Sequence, residues 1–173
     1  MPITPDDKDW TWVLDRPCEQ CGFDSGDYSK EDVGAQVRAG AHEWRSQLER
    51  DDVNIRPRDD KWSVLEYGCH VRDVFRVFDE RVSLMQTRDN PTFANWDQDE
   101  TAINGRYDLQ DPAVVGPELV AAADVLAARL DSLTPQEWPR RGVRSNGSVF
   151  TIETISIYML HDTIHHLSDV SEP

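Results

Sequence analysis

Hydrophobic residues recur at three- and four-residue steps in four stretches of the chain, separated by polar connections rich in proline and glycine. The first stretch, Ser29 to Leu48, sets Val33, Val37, Ala41, Trp44 and Leu48 on one stripe, the period of an amphipathic helix. Ser29 is the expected N-cap, with Glu31 and Asp32 in the first turn, where the helix dipole favours negative charge. Gly34 and Gly40 weaken this helix by roughly 1 kcal/mol each unless they permit close packing. The second stretch opens on Ser63-Val64-Leu65-Glu66, which fits a capping box. Val64, Tyr67, Val71, Val74, Phe75, Phe78, Val82 and Met85 then share one face, with His70 at its border. A third helix is expected to start between Asp111 and Pro117 and to end near Ser132, on a stripe of Val115, Leu119, Ala122, Leu126 and Leu130. A fourth runs from about Thr151 to Asp169. Its apolar residues surround most of the circumference, the pattern of a helix buried on several sides.

The connections are irregular. Arg56 to Asp60 reads as a loop, and Asn90 to Asp111 as a long polar crossing in which Gln98 to Arg106 has room for a helical turn or two. Leu133 to Gly147 carries two prolines and two glycines and has room for a short strand pair. Residues 1–28 show no sustained period and read as an extended arm pinned by Trp10, Trp12, Val13 and Leu14. The expectation is therefore all-α: a four-helix bundle over residues 29–173, one domain, preceded by the arm.

Charge narrows the partners. Eighteen basic against 33 acidic residues leave a formal net charge of −15, a field that repels phosphate backbones and anionic membrane surfaces. No apolar run approaches the ~20 residues of a membrane span. The first ten residues lack the basic and apolar regions of a signal peptide, and three cysteines make no disulfide framework. The expected location is the cytoplasm, as a monomer or homodimer, with neither nucleic acid nor membrane as partner.

Candidate chemistry centres on histidine. His161 and His165 lie four apart on the last helix, about 40° from one another, so both rings can reach one metal. A zinc-protease reading fails, because Asp162 stands where that motif needs Glu as general base. His70, on the inner border of the second helix, supplies a third imidazole. Three such donors leave one tetrahedral position of Zn²⁺ open to water or substrate. The alternative is a set of hydrogen-bonded core histidines. His42 and His166 read as ordinary packing or surface residues, His166 lying about 140° round the helix from His161. Cys18 and Cys21 form a CxxC with no second pair, which reads as buried, inert thiols or, less simply, as a redox pair. Cys69 lies about 100° round the helix from His70, out of reach of its metal. The polar clusters Asn95-Trp96-Asp97-Gln98 and Arg140 to Asn146 fall in connections that would cover one end of a bundle, where pockets form.

These motifs have a counterpart. Trp62-Ser63-Val64-Leu65-Glu66-Tyr67-Gly68-Cys69-His70 resembles the W-S-x-x-E-x-x-x-H signature of the DinB-like superfamily, and His161-Asp162-Thr163-Ile164-His165-His166 resembles its H-D-x-x-H-H element. The resemblance covers about residues 29–169. Within the superfamily, the arm from Asp9 to Asp24 and the loop from Phe93 to Gln98 are similar to actinobacterial proteins regarded as mycothiol S-transferases. The resemblance implies a divalent metal, usually zinc, on His70, His161 and His165, with mycothiol as thiol co-substrate and a small electrophile as acceptor. Asn95, Trp96, Asp97, Arg144, Asn146 and Tyr158 are the expected substrate contacts. Thiol chemistry suits such a site, since a free thiol of pKa near 8.5 is mostly protonated at neutral pH and coordination deprotonates it. Two other readings stand beside this one. They are a mycothiol-dependent isomerase of maleylpyruvate type, and a non-catalytic metal- or ligand-binding stress protein.

Overall fold

The Ser63 start signal opens the longest helix of the protein. In the computed structural model, which describes residues 9–171, Ser63 Oγ accepts from Glu66 N at 3.2 Å, and Glu66 Oε2 accepts from Ser63 N at 2.9 Å. The same carboxylate receives both arms of the Arg56 guanidinium, with Nε at 2.8 Å, so the cap also ties down the preceding loop. Burial raises the Glu66 pKa, but Arg56 and Ser63 more than offset this and hold it below the usual carboxylate range.

The elements are α1 (Val33–Gln47), α2 (Val64–Thr87), β1 (Thr92–Phe93), α3 (Gln98–Asn104), α4 (Pro112–Asp131), β2 (Arg141–Arg144), β3 (Val149–Thr151) and α5 (Ile152–Ser171), with three short 3₁₀ turns. The four-helix expectation holds, α3 being the short helix expected in the long crossing. Residues 1–8 of the expected arm, and 172–173, lie outside the described residues. Ser29 does not cap α1: its hydroxyl donates to Asp32 Oδ2 at 2.7 Å within a turn, and the helix begins at Val33. The strand pair is present as β2 antiparallel to β3, and β1 adds in parallel on the far side of β2.

Packing departs from simple up-and-down order. α4 and α5 each lie against both α1 and α2, while α1 and α2 scarcely touch. α1 and α2 thus sit on one diagonal of the bundle, and α4 and α5 on the other. Trp44, Phe75, Leu119, Leu126, Ile152, Ile155 and Met159 fill the centre, and the Trp44 indole N–H donates to Thr163 O at 3.1 Å. At Gly34 α1 lies close against α4: a Cβ there would lie 2.1 Å from Asp131 Oδ1 and 3.3 Å from Ala127 O. Gly40 meets nothing within 4 Å. The end of α5 is held by two cations on its last carbonyls: Lys61 Nζ on Asp169 O at 2.6 Å and Arg50 Nη1 on Val170 O at 2.8 Å. Among the described residues, no helix is long and apolar enough to cross a membrane.

Two stability outcomes follow from these contacts. Gly40→Ala should raise the unfolding midpoint by about 2–4 °C, since it removes a helix-weakening residue from open space, whereas Gly34→Ala should give no gain. Glu66→Gln should destabilise at neutral pH. Because the folded pKa of Glu66 is depressed, its contribution is full above the ordinary carboxylate pKa and is lost as pH falls through the folded value. The gap between Glu66→Gln and the parent in urea unfolding should therefore narrow below about pH 4.

Candidate metal centre

α5 carries two i,i+4 pairs displaced by one residue: His161 with His165, and Asp162 with His166. One residue turns a helix by about 100°, so the pairs face different neighbours. The pair Asp162 and His166 meets His70 of α2. His70 Nε2 lies 3.2 Å from Asp162 Oδ1, His166 Nε2 lies 3.8 Å from the same oxygen, and the three donor atoms all fall within 4.8 Å of one another. The pair His161 and His165 meets the arm instead. Cys18 and Cys21 join it, again with every donor atom within 4.8 Å, and Cys18 Sγ is 3.8 Å from His165 Nδ1.

The expected set His70, His161 and His165 is thus divided between two clusters. The reason is the turn of α5: the face that presents His161 and His165 is covered by the arm, and the face toward α2 is the next one round. His166, expected to be an ordinary packing residue, stands in the His70 cluster, and its ring is 5.0 Å edge-on from that of His70. Asp162, which stands where a zinc-protease motif needs Glu, is the carboxylate at the centre of that cluster. His42 is exposed on α1. Cys69 is buried away from both clusters, and its thiol is pushed up to about 12 by that burial.

The donor chemistry fits a divalent cation at His70, Asp162 and His166. Zn–N and Zn–O bonds of about 2.0–2.2 Å imply donor separations of about 3.3–3.6 Å round a tetrahedron, and the two spacings to Asp162 Oδ1, 3.2 and 3.8 Å, bracket that range. His166 Nδ1 donates to Asp169 Oδ2 at 3.0 Å, which fixes the ring with Nε2 toward Asp162, the outer-shell support expected of a metal-ligating imidazole. Burial pushes the Asp162 pKa up, but His70, His166 and His161 pull it down to about 2, so the carboxylate is ionised. His70 is fully buried, and its Nδ1 has no hydrogen-bond partner among the described residues. Burial, together with the neighbouring His165, lowers His161 to about 4, which keeps its ring neutral at pH 7.

This centre opens on a cleft of about 830 Å³. Asp162 and His166 form part of its floor, with His70 behind them. Trp96 stacks on the His70 ring at 5.5 Å and 8°, and Trp62 leans on it at 5.6 Å. Of the expected substrate contacts, Asn95, Trp96, Asp97, Arg144 and Tyr158 line the cleft. Arg144 Nη1 donates to the Tyr158 hydroxyl at 3.4 Å. Asn146 does not belong with them: it is exposed in the β2–β3 turn, where its Oδ1 accepts from Ser148 N at 3.1 Å. Trp10 and Gln20 of the arm are walls that the helical periodicity gave no means of placing.

The comparisons agree with this architecture. The solved structure of YfiT from Bacillus subtilis, described as a probable metal-dependent hydrolase with an unusual four-helix bundle topology, is similar at a TM-score of 0.64. The likeness covers 98% of this chain and 92% of that one at 19% identity, and is one of fold. No curated protein matches the chain in sequence. Residues 34–170 match the DinB superfamily, a span that takes in almost the whole of the four bundle helices and the histidines of α2 and α5. On that match the chain belongs to the DinB superfamily.

Proposed function

We propose that the protein is a metal-dependent thiol S-transferase that joins mycothiol to small electrophiles. The observation that carries the reading is the three-donor set of His70, Asp162 and His166, two of them on the floor of a large polar cleft and His70 directly behind. Three protein donors leave a tetrahedral ion one position for an outside ligand. A bound divalent ion supplies the positive charge that lets a thiol lose its proton at neutral pH.

The chain's own groups do the rest. Asp169 holds the His166 ring in place through Nδ1. Trp96 and Trp62 cover His70 and keep water from its buried face. Asn95, Asp97, Gln98, Gln20 and Arg144 offer donors and acceptors along the walls, suited to the hydroxyls of a sugar–inositol thiol. Asp60, Asp97, Asp99 and Glu100 give the cleft a negative rim, which disfavours a thiol carrying its own carboxylates, such as glutathione. Binding both partners in one cleft contributes through proximity and orientation.

The metal-loaded protein should accelerate conjugation of mycothiol to a bimane or chloronitroaromatic electrophile, with glutathione a poor substitute. His70→Ala, Asp162→Ala and His166→Ala should each lower that rate by at least about 100-fold, while His42→Ala leaves it unchanged. Asp169→Asn should weaken metal binding by about 10–100-fold, read by competition with a chelating dye. Metal binding without thiol-dependent turnover would move the protein to the binding-protein reading. Thiol-independent cleavage of esters or amides would replace transfer with hydrolysis, the reaction class in the description of YfiT.

A further inference from the structure

The second cluster, on the neighbouring face of α5, has a different chemistry. Its four donors are two sulfurs and two imidazole nitrogens, all within 4.8 Å of one another. In sequence they read C-x₂-C at one end of the chain and H-x₃-H at the other, the ligand spacing of structural zinc sites, although Cys18 and His165 are 147 positions apart. We propose that Cys18, Cys21, His161 and His165 form a second, structural zinc site that fastens the N-terminal arm to α5.

Several independent observations meet there. With Zn–S near 2.3 Å and Zn–N near 2.0–2.1 Å, a tetrahedral ion sets sulfur and nitrogen about 3.6 Å apart; Cys18 Sγ and His165 Nδ1 are at 3.8 Å. His161 is 3% exposed, and its Nε2 has no hydrogen-bond partner among the described residues. A buried polar atom left so is costly unless something binds it. The other nitrogen of His165 points toward Asp169 Oδ2 at 4.0 Å, the side on which metal-bound imidazoles find their carboxylate. The cysteines sit on a preformed turn: Cys18 N donates to Phe23 O and Gly22 N donates to Cys18 O, both at 2.8 Å, with Gly22 at φ +75°. Trp10, 5.3 Å from His161 and 5.0 Å from His165, and Phe23, edge-on to His161 at 5.3 Å, close an apolar shell over the rings.

Four protein donors fill a tetrahedral ion and leave no position for substrate, so the site is structural, in contrast to the three-donor centre beside it. On binding, each thiol gives its proton to solvent and the ion exchanges its waters for two thiolates and two neutral imidazoles. No electrons move, and the product carries no net charge, which suits a buried site. The arm has only short 3₁₀ turns among its described residues, and packs through the buried Val13, Cys18 and Phe23 and the partly buried Trp10, Trp12, Leu14 and Tyr28. A metal clip adds to that packing and holds the segment between Trp10 and Gln20, both on the cleft wall, to α5.

The test uses the full, untagged chain purified under reducing conditions without chelator, its zinc content measured by plasma mass spectrometry and its zinc then replaced by cobalt. Wild type should hold two equivalents and show a thiolate-to-cobalt charge-transfer band in the near ultraviolet. Cys18→Ser and Cys21→Ser should each hold one equivalent and lack the band. His70→Ala should hold one and keep it. In wild type, one equivalent of zinc should slow iodoacetamide labelling of Cys18 and Cys21 by about tenfold or more, mapped by peptide mass, a readout that needs no variant. The proposal is overturned if cobalt-loaded wild type has no such band, if the band survives the double change Cys18→Ser with Cys21→Ser, or if the reduced protein re-forms a Cys18–Cys21 disulfide rather than binding zinc. A band with only one equivalent, unchanged in His70→Ala, supports this site while removing the metal from the reading above. One equivalent and no band does the reverse.

Discussion

Everything at the functional end of this protein hangs on a one-residue offset along α5. An α-helix advances about 100° per residue, so pairs that begin at His161 and at Asp162 look in different directions though they occupy the same turn of helix. Each direction needs its own neighbour. α2 brings His70 to one, and the arm brings Cys18 and Cys21 to the other. Asp169 stands behind both, with Oδ2 3.0 Å from His166 Nδ1 and 4.0 Å from His165 Nε2.

The diagonal packing makes this possible. α5 lies between α1 and α2 and hardly touches α4, so part of its circumference near the C-terminal end is left for the arm to cover. In its first half α5 is largely apolar and buried; at 161–169 it turns to histidine, aspartate and serine among its apolar residues. Such groups are costly inside a core unless they are paired or bind an ion. The fold meets that cost by gathering them against one another, by anchoring the end of the helix with Lys61 and Arg50, and by laying tryptophans over the rings.

The sheet and the long crossing complete the cleft from the other side. β1 pairs with β2 at Thr92–Val143 and Phe93–Arg144, which brings the Asn95–Asp97 loop and Arg144 to the same opening although nearly 50 positions of chain separate them. The acidic side chains gathered there are a local share of the net charge of −15. A property read first as a reason to set aside nucleic acid becomes, at the cleft, a bias against negatively charged ligands.

Local signals carried much of this. The Ser63–Glu66 capping box, the stripes of the four helices and the all-round apolar pattern of α5 are properties of residues a few positions apart, and they reappear with nearly the expected boundaries. That His70 and the 161–166 segment carry candidate ligands was equally legible, because spacing on a single helix is local geometry. What local geometry could not decide was partnership. His161, Asp162, His165 and His166 present two usable pairs, and nothing within α5 says which of them α2 will meet. That depends on how α5 is rotated about its own axis in the bundle, which packing against α1 and α2 settles. Cys18 and Cys21 read as inert thiols or a redox pair because the histidines beside them, His165 being 147 positions from Cys18, come close only when the arm folds back over α5. Asn146 and Arg144 differ by two residues, yet one lies in the exposed turn and the other in the cleft, since the β2–β3 register turns only Arg144 inward toward Tyr158.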